Sequence, residues 1–334
     1  TLPASVVQGL ADNTYPVVVS MTDAAGNPAV AVQTTLTRDA DSLNLPTLTL
    51  GTLSEDNFLN QAESQQDLSI GGTSTNLAEG QLVAVTLNGL QYSGTVTANG
   101  SWAVTVPAAA LGNLPDGDQL VQVVATDASG NPASASGSLV VLASAQVQPT
   151  LTMNVVAGDD VINATESTAE VAVSGSSTLL AAGTVVTVSL SGTDYTTTTL
   201  LDANGNWTVN VPSTAFADVV PGSSQTFTVS ATDVAGNPAT ATKEVDFITT
   251  RPVLTDITVS AGDTLNLSES LQDLTISGTT TGAIPVTVTL NNVSYTATAD
   301  ADGNWTITVP TADVQQLADG PNAVTVSVTD AAGN

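Results

Sequence analysis

Residues 81–106 read QLVAVTLNGLQYSGTVTANGSWAVTV. Two Asn-Gly pairs, Asn88-Gly89 and Asn99-Gly100, cut this stretch into three alternating apolar runs. Asn-Gly between such runs is a strong hairpin signal, because a tight primed turn needs left-handed backbone at both central positions. In the third run Trp102, Val104 and Val106 fall on one face of a strand and the residues between them on the other. The spacing predicts strands over 81–87, 91–97 and 102–106. Working outward, further alternating runs at 47–50, 67–71, 120–126 and 133–142 bring the number to seven.

The same pattern returns along the chain. Thr-Asp-x-x-Gly-Asn occurs with its aspartate at 23, 127, 233 and 330, and tryptophan follows an Asn/Asp-Gly turn at 102, 207 and 305. Pro46, Pro149 and Pro252, and Glu63, Glu166 and Glu269, keep the same step of 103 residues. Trp305, Ile307 and Val309 repeat the one-faced run, as do Phe227, Val229 and Ala231. A step of this size is a whole domain, far above the 20–50 residues of a solenoid turn. Seven alternating strands in about 100 residues predict an immunoglobulin-like β-sandwich, without the cysteine pair of antibody domains. The fold class is therefore all-β, a linear array of tandem immunoglobulin-like sandwiches. The tryptophans, with Tyr92, Tyr195 and Tyr295 on the neighbouring hairpin strand, read as core filling.

The expected divisions are 1–44, the C-terminal part of one repeat (Leu10-Ala11-Asp12 matching Leu317-Ala318-Asp319); 45–146 and 147–250, two complete repeats; and 251–334, a repeat lacking its last strand. A chain cut out of register with its own repeat reads as a window on a longer array.

Composition narrows the chemistry. Of 334 residues, 31 are acidic and three basic (Arg38, Lys243, Arg251), for a net charge of −28, with no cysteine and no histidine. Nucleic acid and anionic membrane surfaces need clustered Lys/Arg and are excluded as partners. No run of about 18 apolar residues is present to span a bilayer, and the chain opens Thr1-Leu2-Pro3 without a signal-peptide pattern. Hydrophobic residues make up 42% of the chain, which argues against disorder. Neither a Ser-His nor a Cys-His nucleophile can be assembled, so the chain reads as non-enzymatic. Paired carboxylates can hydrolyse a glycoside, yet here they recur in every repeat, whereas an active site is normally built once.

A small disulfide-free outer domain needs another staple. Without Cys or His, that staple is a hard cation held by oxygen, and the charge points to Ca2+. Two motifs supply candidate ligands: Asp23 and Asn27, Asp127 and Asn131, Asp233 and Asn237, and Asp330 with Asn334 in the Thr-Asp-x-x-Gly-Asn loops; and Asp160, Asn163 and Glu166 (with Asp159 beside them) or Asp263, Asn266 and Glu269 in an Asp-x-x-Asn-x-x-Glu motif. The first complete repeat departs from the second motif, with Asn57 in the leading place beside Asp56, then Asn60 and Glu63.

This motif pair resembles the bacterial immunoglobulin-like tandem repeats of giant RTX-type surface adhesins, and the resemblance covers essentially the whole chain. It implies an extracellular, type I secreted stalk on the bacterial cell surface, with calcium stiffening its linkers. It also implies that the chain projects a distal binding module for adhesion or biofilm formation, and that the ligand lies outside this segment.

Strand alternation independently places the acids after the first strand of one repeat opposite the last loop of the next. One joint is expected to gather Asp56, Asn60 and Glu63 with Asp233 and Asn237, near Asp116 and Asp118. The next would gather Asp160, Asn163 and Glu166 with Asp246, Asp330 and Asn334. Four or five carboxylates in so small a volume repel by several kcal/mol unless a cation bridges them. Each motif also has a plainer reading: an Asp that caps its own tight turn, and a short helical turn with reciprocal capping. The competing function is a repeat that itself grips glycan or another surface ligand; its sequence mark, an exposed aromatic cluster or one long variable loop, does not appear. The Thr-x-Thr pairs that suggest a flat ice-facing array (Thr47/Thr49, Thr196/Thr198) are what any solvent face of a strand shows.

Overall fold

The computed structural model describes residues 1–40, 44–262, 264–282 and 284–334. The chain divides into two compact units, Thr1–Pro149 with Thr232–Pro238, and Thr150–Ala231 with Ala239–Asn334.

In the first unit, strands β1 (Asn13–Val19) and β2 (Val32–Arg38) form an antiparallel hairpin. Eight strands follow: β3 (Thr47–Leu48), β4 (Phe58–Asn60), β5 (Leu68–Thr75), β6 (Leu82–Leu87), β7 (Leu90–Thr95), β8 (Ser101–Val106), β9 (Gly117–Thr126) and β10 (Pro132–Leu142). They make two sheets, β3-β5-β8 and β4-β10-β9-β6-β7. Between the sheets lies a core that includes Ile70, Val83, Val85, Trp102, Val104, Val121, Val123 and Leu139. This is the expected sandwich, with two differences. The first strand is split: after β3 the chain crosses over, and β4 pairs in parallel with β10. And β7 stays with β6, so the Asn99-Gly100 turn carries the chain from one sheet to the other instead of closing a paired hairpin. Across it run one isolated bridge, Val96 with Trp102, and the bond from Thr97 N–H to Ser101 O. Tyr92 therefore packs toward the same core as Trp102 from the facing sheet.

The second unit holds two further cores. Strands β11 (Thr150–Leu151), β12 (Val161–Asn163), β13 (Val171–Thr178), β14 (Val185–Leu190), β15 (Thr196–Leu200), β16 (Asn206–Val211), β17 (Ser223–Thr232) and β18 (Pro238–Ile248) repeat the arrangement, as β11-β13-β16 and β12-β18-β17-β14-β15. Strands β19 (Leu254–Val259), β20 (Leu274–Thr280), β21 (Pro285–Leu290), β22 (Val293–Thr298), β23 (Asn304–Val309) and β24 (Val324–Val328) form β19-β20-β23 and β22-β21-β24.

One glycine explains each tryptophan. Gly72, Gly175 and Gly278 lie directly across the ladder from Trp102, Trp207 and Trp305. A Cβ there would come within 2.8, 2.7 and 2.6 Å of the indole Cζ2. The bare backbone on the second strand is what lets the ring lie flat into the core, where all three tryptophans are buried.

The compact units do not follow the sequence repeat. Residues 232–238, the loop between β17 and β18, go with the preceding sandwich, and the hydrogen bonds that hold them there form the site described next. No helix among the described residues is long and apolar enough to cross a membrane.

Candidate functional site

The Asp-x-x-Gly-Asn loops are built alike. The aspartate Oδ1 accepts from the backbone N–H two and four residues on: Ala25 and Asn27 to Asp23, Ser129 and Asn131 to Asp127, Ala235 and Asn237 to Asp233, Ala332 and Asn334 to Asp330, all at 2.8–3.0 Å. Its Oδ2 accepts from the asparagine Nδ2 at 2.9 Å in every copy. The glycine stands at φ +81° to +88° (Gly26, Gly130, Gly236, Gly333), the left-handed backbone that makes glycine the natural choice. The asparagine's side-chain hydrogen bond is the leading reason that Asp23 and Asp127 are held below the ordinary carboxylate pKa. The same loop also closes the turns before β16 and β23, at Asp202–Asn206 and Asp300–Asn304. There the leading cause of the lowered aspartate pKa is the backbone N–H of Asn206 or Asn304. Those two copies were readable in the sequence as further Asp-x-x-Gly-Asn strings, and they show that the loop is a folding module in its own right.

The second motif is a reciprocal cap. Asn60 Oδ1 accepts from Glu63 N–H at 2.9 Å while Glu63 Oε2 accepts from Asn60 N–H at 3.0 Å. Asn163 with Glu166 and Asn266 with Glu269 do the same. Ahead of it, Asn57 and Asp160 occupy left-handed backbone (φ +70° and +64°), and the Oδ1 of each accepts from an amide four residues back, Leu53 or Val156. Asn and Asp serve equally in that role, which accounts for the departure at Asn57. Asp56 and Asp159 cap Phe58 and Val161 N–H. Asp160 also pairs with Lys243 at 3.2 Å. Asp246 accepts from Ser224 Oγ, and its N–H donates to Asp160 O. Asp116 closes the end of β10 by accepting from Ala143 and Ser144; desolvation raises its pKa, but these hydrogen bonds outweigh it and hold the group low. Ser138 Oγ donates weakly to Asp118. Asp263 lies outside the described residues.

The two motifs meet at a joint. In the first unit, Asn237 Nδ2 donates to Leu142 O at 2.8 Å, Gln61 N–H donates to Asn237 Oδ1 at 2.9 Å, and Asn60 Nδ2 donates to Ala235 O at 3.0 Å. Earlier in that unit Asn131 Nδ2 donates to Asp39 O and Ser129 Oγ to Asp39 Oδ2. In the second unit, Asn334 Nδ2 donates to Ile248 O and Ala164 N–H to Asn334 Oδ1, both at 2.6 Å, and Arg251 Nη2 donates to Thr165 Oγ1. The partners that sequence reasoning missed, Gln61, Leu142, Ala164, Ile248 and Asp39, act here through backbone groups or, for Asp39, also a lone carboxylate. No motif marks such positions.

The joint thus brings together Asn60, Glu63, Asp233 and Asn237, and again Asn163, Glu166, Asp330 and Asn334, but through amides and carbonyls. The expected gathering of four or five carboxylates does not form: among the described residues no three acidic side chains are placed to hold a metal ion. The carboxylates of Glu63, Asp233, Glu166 and Asp330 are turned back onto amides of their own loops. The acids of the two loops that meet there, Glu63 and Asp233 or Glu166 and Asp330, carry only oxygen donors. That chemistry suits Ca2+ and not a thiolate- or imidazole-seeking metal.

The model of the bacterial Ig-like domain family matches residues 257–334. Among solved structures, the chain is 33% identical to a Ca2+-stabilised adhesin that helps an Antarctic bacterium reach out and bind ice, over 96% of this chain and 79% of that one, with a TM-score of 0.45. It is 30% identical to a 1.5-MDa bacterial ice-binding adhesin described for its retention on the host cell surface (87% and 94% covered, TM-score 0.41). It is 27% identical to a tetra-tandem repeat from the extending region of a large adhesion protein (97% and 80%, TM-score 0.32). The search of curated proteins finds no match. On the sequence identity, the chain belongs to the bacterial immunoglobulin-like repeats found in large adhesins.

Proposed function

We propose that the chain is a calcium-stiffened extender segment of a bacterial surface adhesin, a non-catalytic stalk that carries a distal binding module away from the cell for adhesion or biofilm formation. It works outside the cell, after type I secretion, and its partners in this segment are neighbouring repeats of the same chain. The observation that carries the reading is the recurrence of one joint. Asn237 and Asn334 each bond the carbonyl that ends a β-strand of the preceding repeat and an amide of its capped turn, with the same atoms in the same roles. A device repeated at domain period serves the array, not a single site.

Calcium is the finer part of the proposal. It rests on the net charge of −28, on the all-oxygen donors at the joints, and on the Ca2+-stabilised relative. Glu63 with Asp233, and Glu166 with Asp330, would supply the charge that holds it. Asp23, Asn27, Asp127, Asn131 and the acids before the capped turns (Asp56, Asp159, Asp160, Asp246, Asp263) remain candidate contributors, as do Asn266 and Glu269. Extracellular sites of this kind bind at about 10⁻⁴–10⁻³ M, and at 100 times the dissociation constant each adds roughly 2.7 kcal/mol to the bound arrangement. Small-angle scattering of the whole chain with Ca2+ and with chelator tests the proposal: the maximum dimension should grow in Ca2+ and fall in chelator. Superimposable profiles would remove calcium from the function.

A further inference from the structure

Asn237 is 1% exposed, yet it is a wholly polar side chain in a surface loop. Both of its amide hydrogens and one lone pair of its oxygen are engaged. One Nδ2 hydrogen goes to Asp233 Oδ2 within the loop and the other to Leu142 O, while Oδ1 accepts from Gln61 N–H. Asn334 is bonded identically, to Asp330 Oδ2, Ile248 O and Ala164 N–H. Asn131 divides its two hydrogens between Asp127 Oδ2 and Asp39 O. Asn206 and Asn304 supply the control. They close the same loop onto Asp202 and Asp300 but are exposed at turns between strands. The Asp–Asn bond therefore belongs to the loop, and the outward bonds belong to the joint.

We propose that the asparagine closing each of the loops 127–131, 233–237 and 330–334 is a cation-independent clamp, fastening successive repeats by direct amide bonds while the loop aspartate holds its side chain in the bonding position. This deepens the extender reading, on which it rests for the purpose of a stiff joint, and it assigns the registration of the joint to a neutral group. An amide offers a cation only its oxygen, which in Asn237 and Asn334 accepts one N–H and keeps a second lone pair. Every bond of the clamp joins two protein groups, so Ca2+ at the flanking carboxylates would reinforce a joint already in register.

The Gln61 and Ala164 amides report the clamp directly, because each donates to the clamping Oδ1. Hydrogen exchange of the full chain, followed by NMR in chelator, should find both amides slow in the natural sequence. In Asn237→Ala, Gln61 should lose its protection while Ala164 keeps it; Asn334→Ala should do the reverse. Asn206→Ala, which breaks the same Asp–Asn bond away from any joint, should leave both slow. Native Trp207 emission checks that the repeat stays folded, and if Asn237→Ala unfolds it, Asn334→Ala at the other joint decides. The proposal is overturned if Gln61 and Ala164 exchange as open amides in chelator, or if the alanine variants leave them slow. Slow exchange only after Ca2+ addition would likewise overturn the clamp and leave the calcium reading standing. Slow exchange with and without Ca2+, together with unchanged scattering, would remove calcium and keep the clamp.

Discussion

Asp233→Ala separates what the aspartate does for its loop from what it does for the joint. The carboxylate accepts three hydrogen bonds, from the N–H groups of Ala235 and Asn237 and from Asn237 Nδ2. Water can replace the first two once the loop loosens. The third donor belongs to a side chain 1% exposed, and a buried donor left unpaired costs about 1–3 kcal/mol. Taken at about 2 kcal/mol, the ratio of closed to open loop falls roughly 30-fold, since about 1.4 kcal/mol is tenfold. The exchange rate of the Gln61 amide in chelator should rise by that factor, because its acceptor is the side chain that Asp233 holds in place. The core around Trp207 and Phe227 lies on other strands and should keep its native fluorescence. Asp202→Ala removes the same three bonds from an exposed loop of the same repeat, and Gln61 should not notice. Equal acceleration of Gln61 by both substitutions, or none by Asp233→Ala, would refute the claim that the loop aspartate works through the joint.

Two further outcomes follow. Gly72→Ala would place a methyl carbon 2.8 Å from Trp102 Cζ2 and against the Thr49 carbonyl. Overpacking of this kind costs about 1–3 kcal/mol or more, read as a lower urea midpoint for Trp102 emission; Gly80→Ala, where a Cβ meets nothing but φ is +83°, should cost less, and the reverse order would contradict the packing. In acid, hydrogen bonds from the side chain or backbone of the loop asparagine hold the Asp23, Asp127, Asp202 and Asp300 carboxyls below the ordinary carboxylate range. A depressed carboxylate contributes stability above its unfolded pKa and loses it as pH falls through the folded value. The urea midpoint should therefore hold flat down to about pH 5 and drop below pH 4, and a midpoint that rose on acidification would show that repulsion among the acids outweighs their capping.

How much of this was legible in the sequence depended on whether the message lay in a side chain. The strands of the sandwich showed through their alternation, and the Asn88-Gly89 turn appeared as a tight hairpin between β6 and β7. The same signal at Asn99-Gly100 gave a turn but not its partner sheet. Asn88 and Gly89 both take left-handed backbone, whereas at the second turn only Gly100 does, and opposite Trp102 the bare backbone of Gly72 leaves the place that the indole takes on the β5 side. Three-residue β4 was invisible because Phe58–Asn60 is too short for a period to register, and its pairing is parallel to a strand some eighty residues on.

At the joint, composition alone misdirects the reading of the acids. Counting acids against three cations makes every carboxylate look unpaired, but carboxylates also pair with amide N–H groups, which composition does not count. Asp233 accepts three such bonds without any cation, and Glu63 caps Asn60 N–H. Once those acceptors are engaged, a joint crowded with acids on paper is crossed mainly by neutral amides and carbonyls, with the Asp39 carboxylate and the Arg251 guanidinium as charged exceptions. A neutral crossing group is insensitive to ionic strength, whereas a bridging ion makes the joint follow its environment. An array with both would keep its register when calcium is scarce and gain stiffness when calcium is plentiful, and the two contributions can be taken apart one substitution at a time, Asn237 for the first and Glu63 for the second.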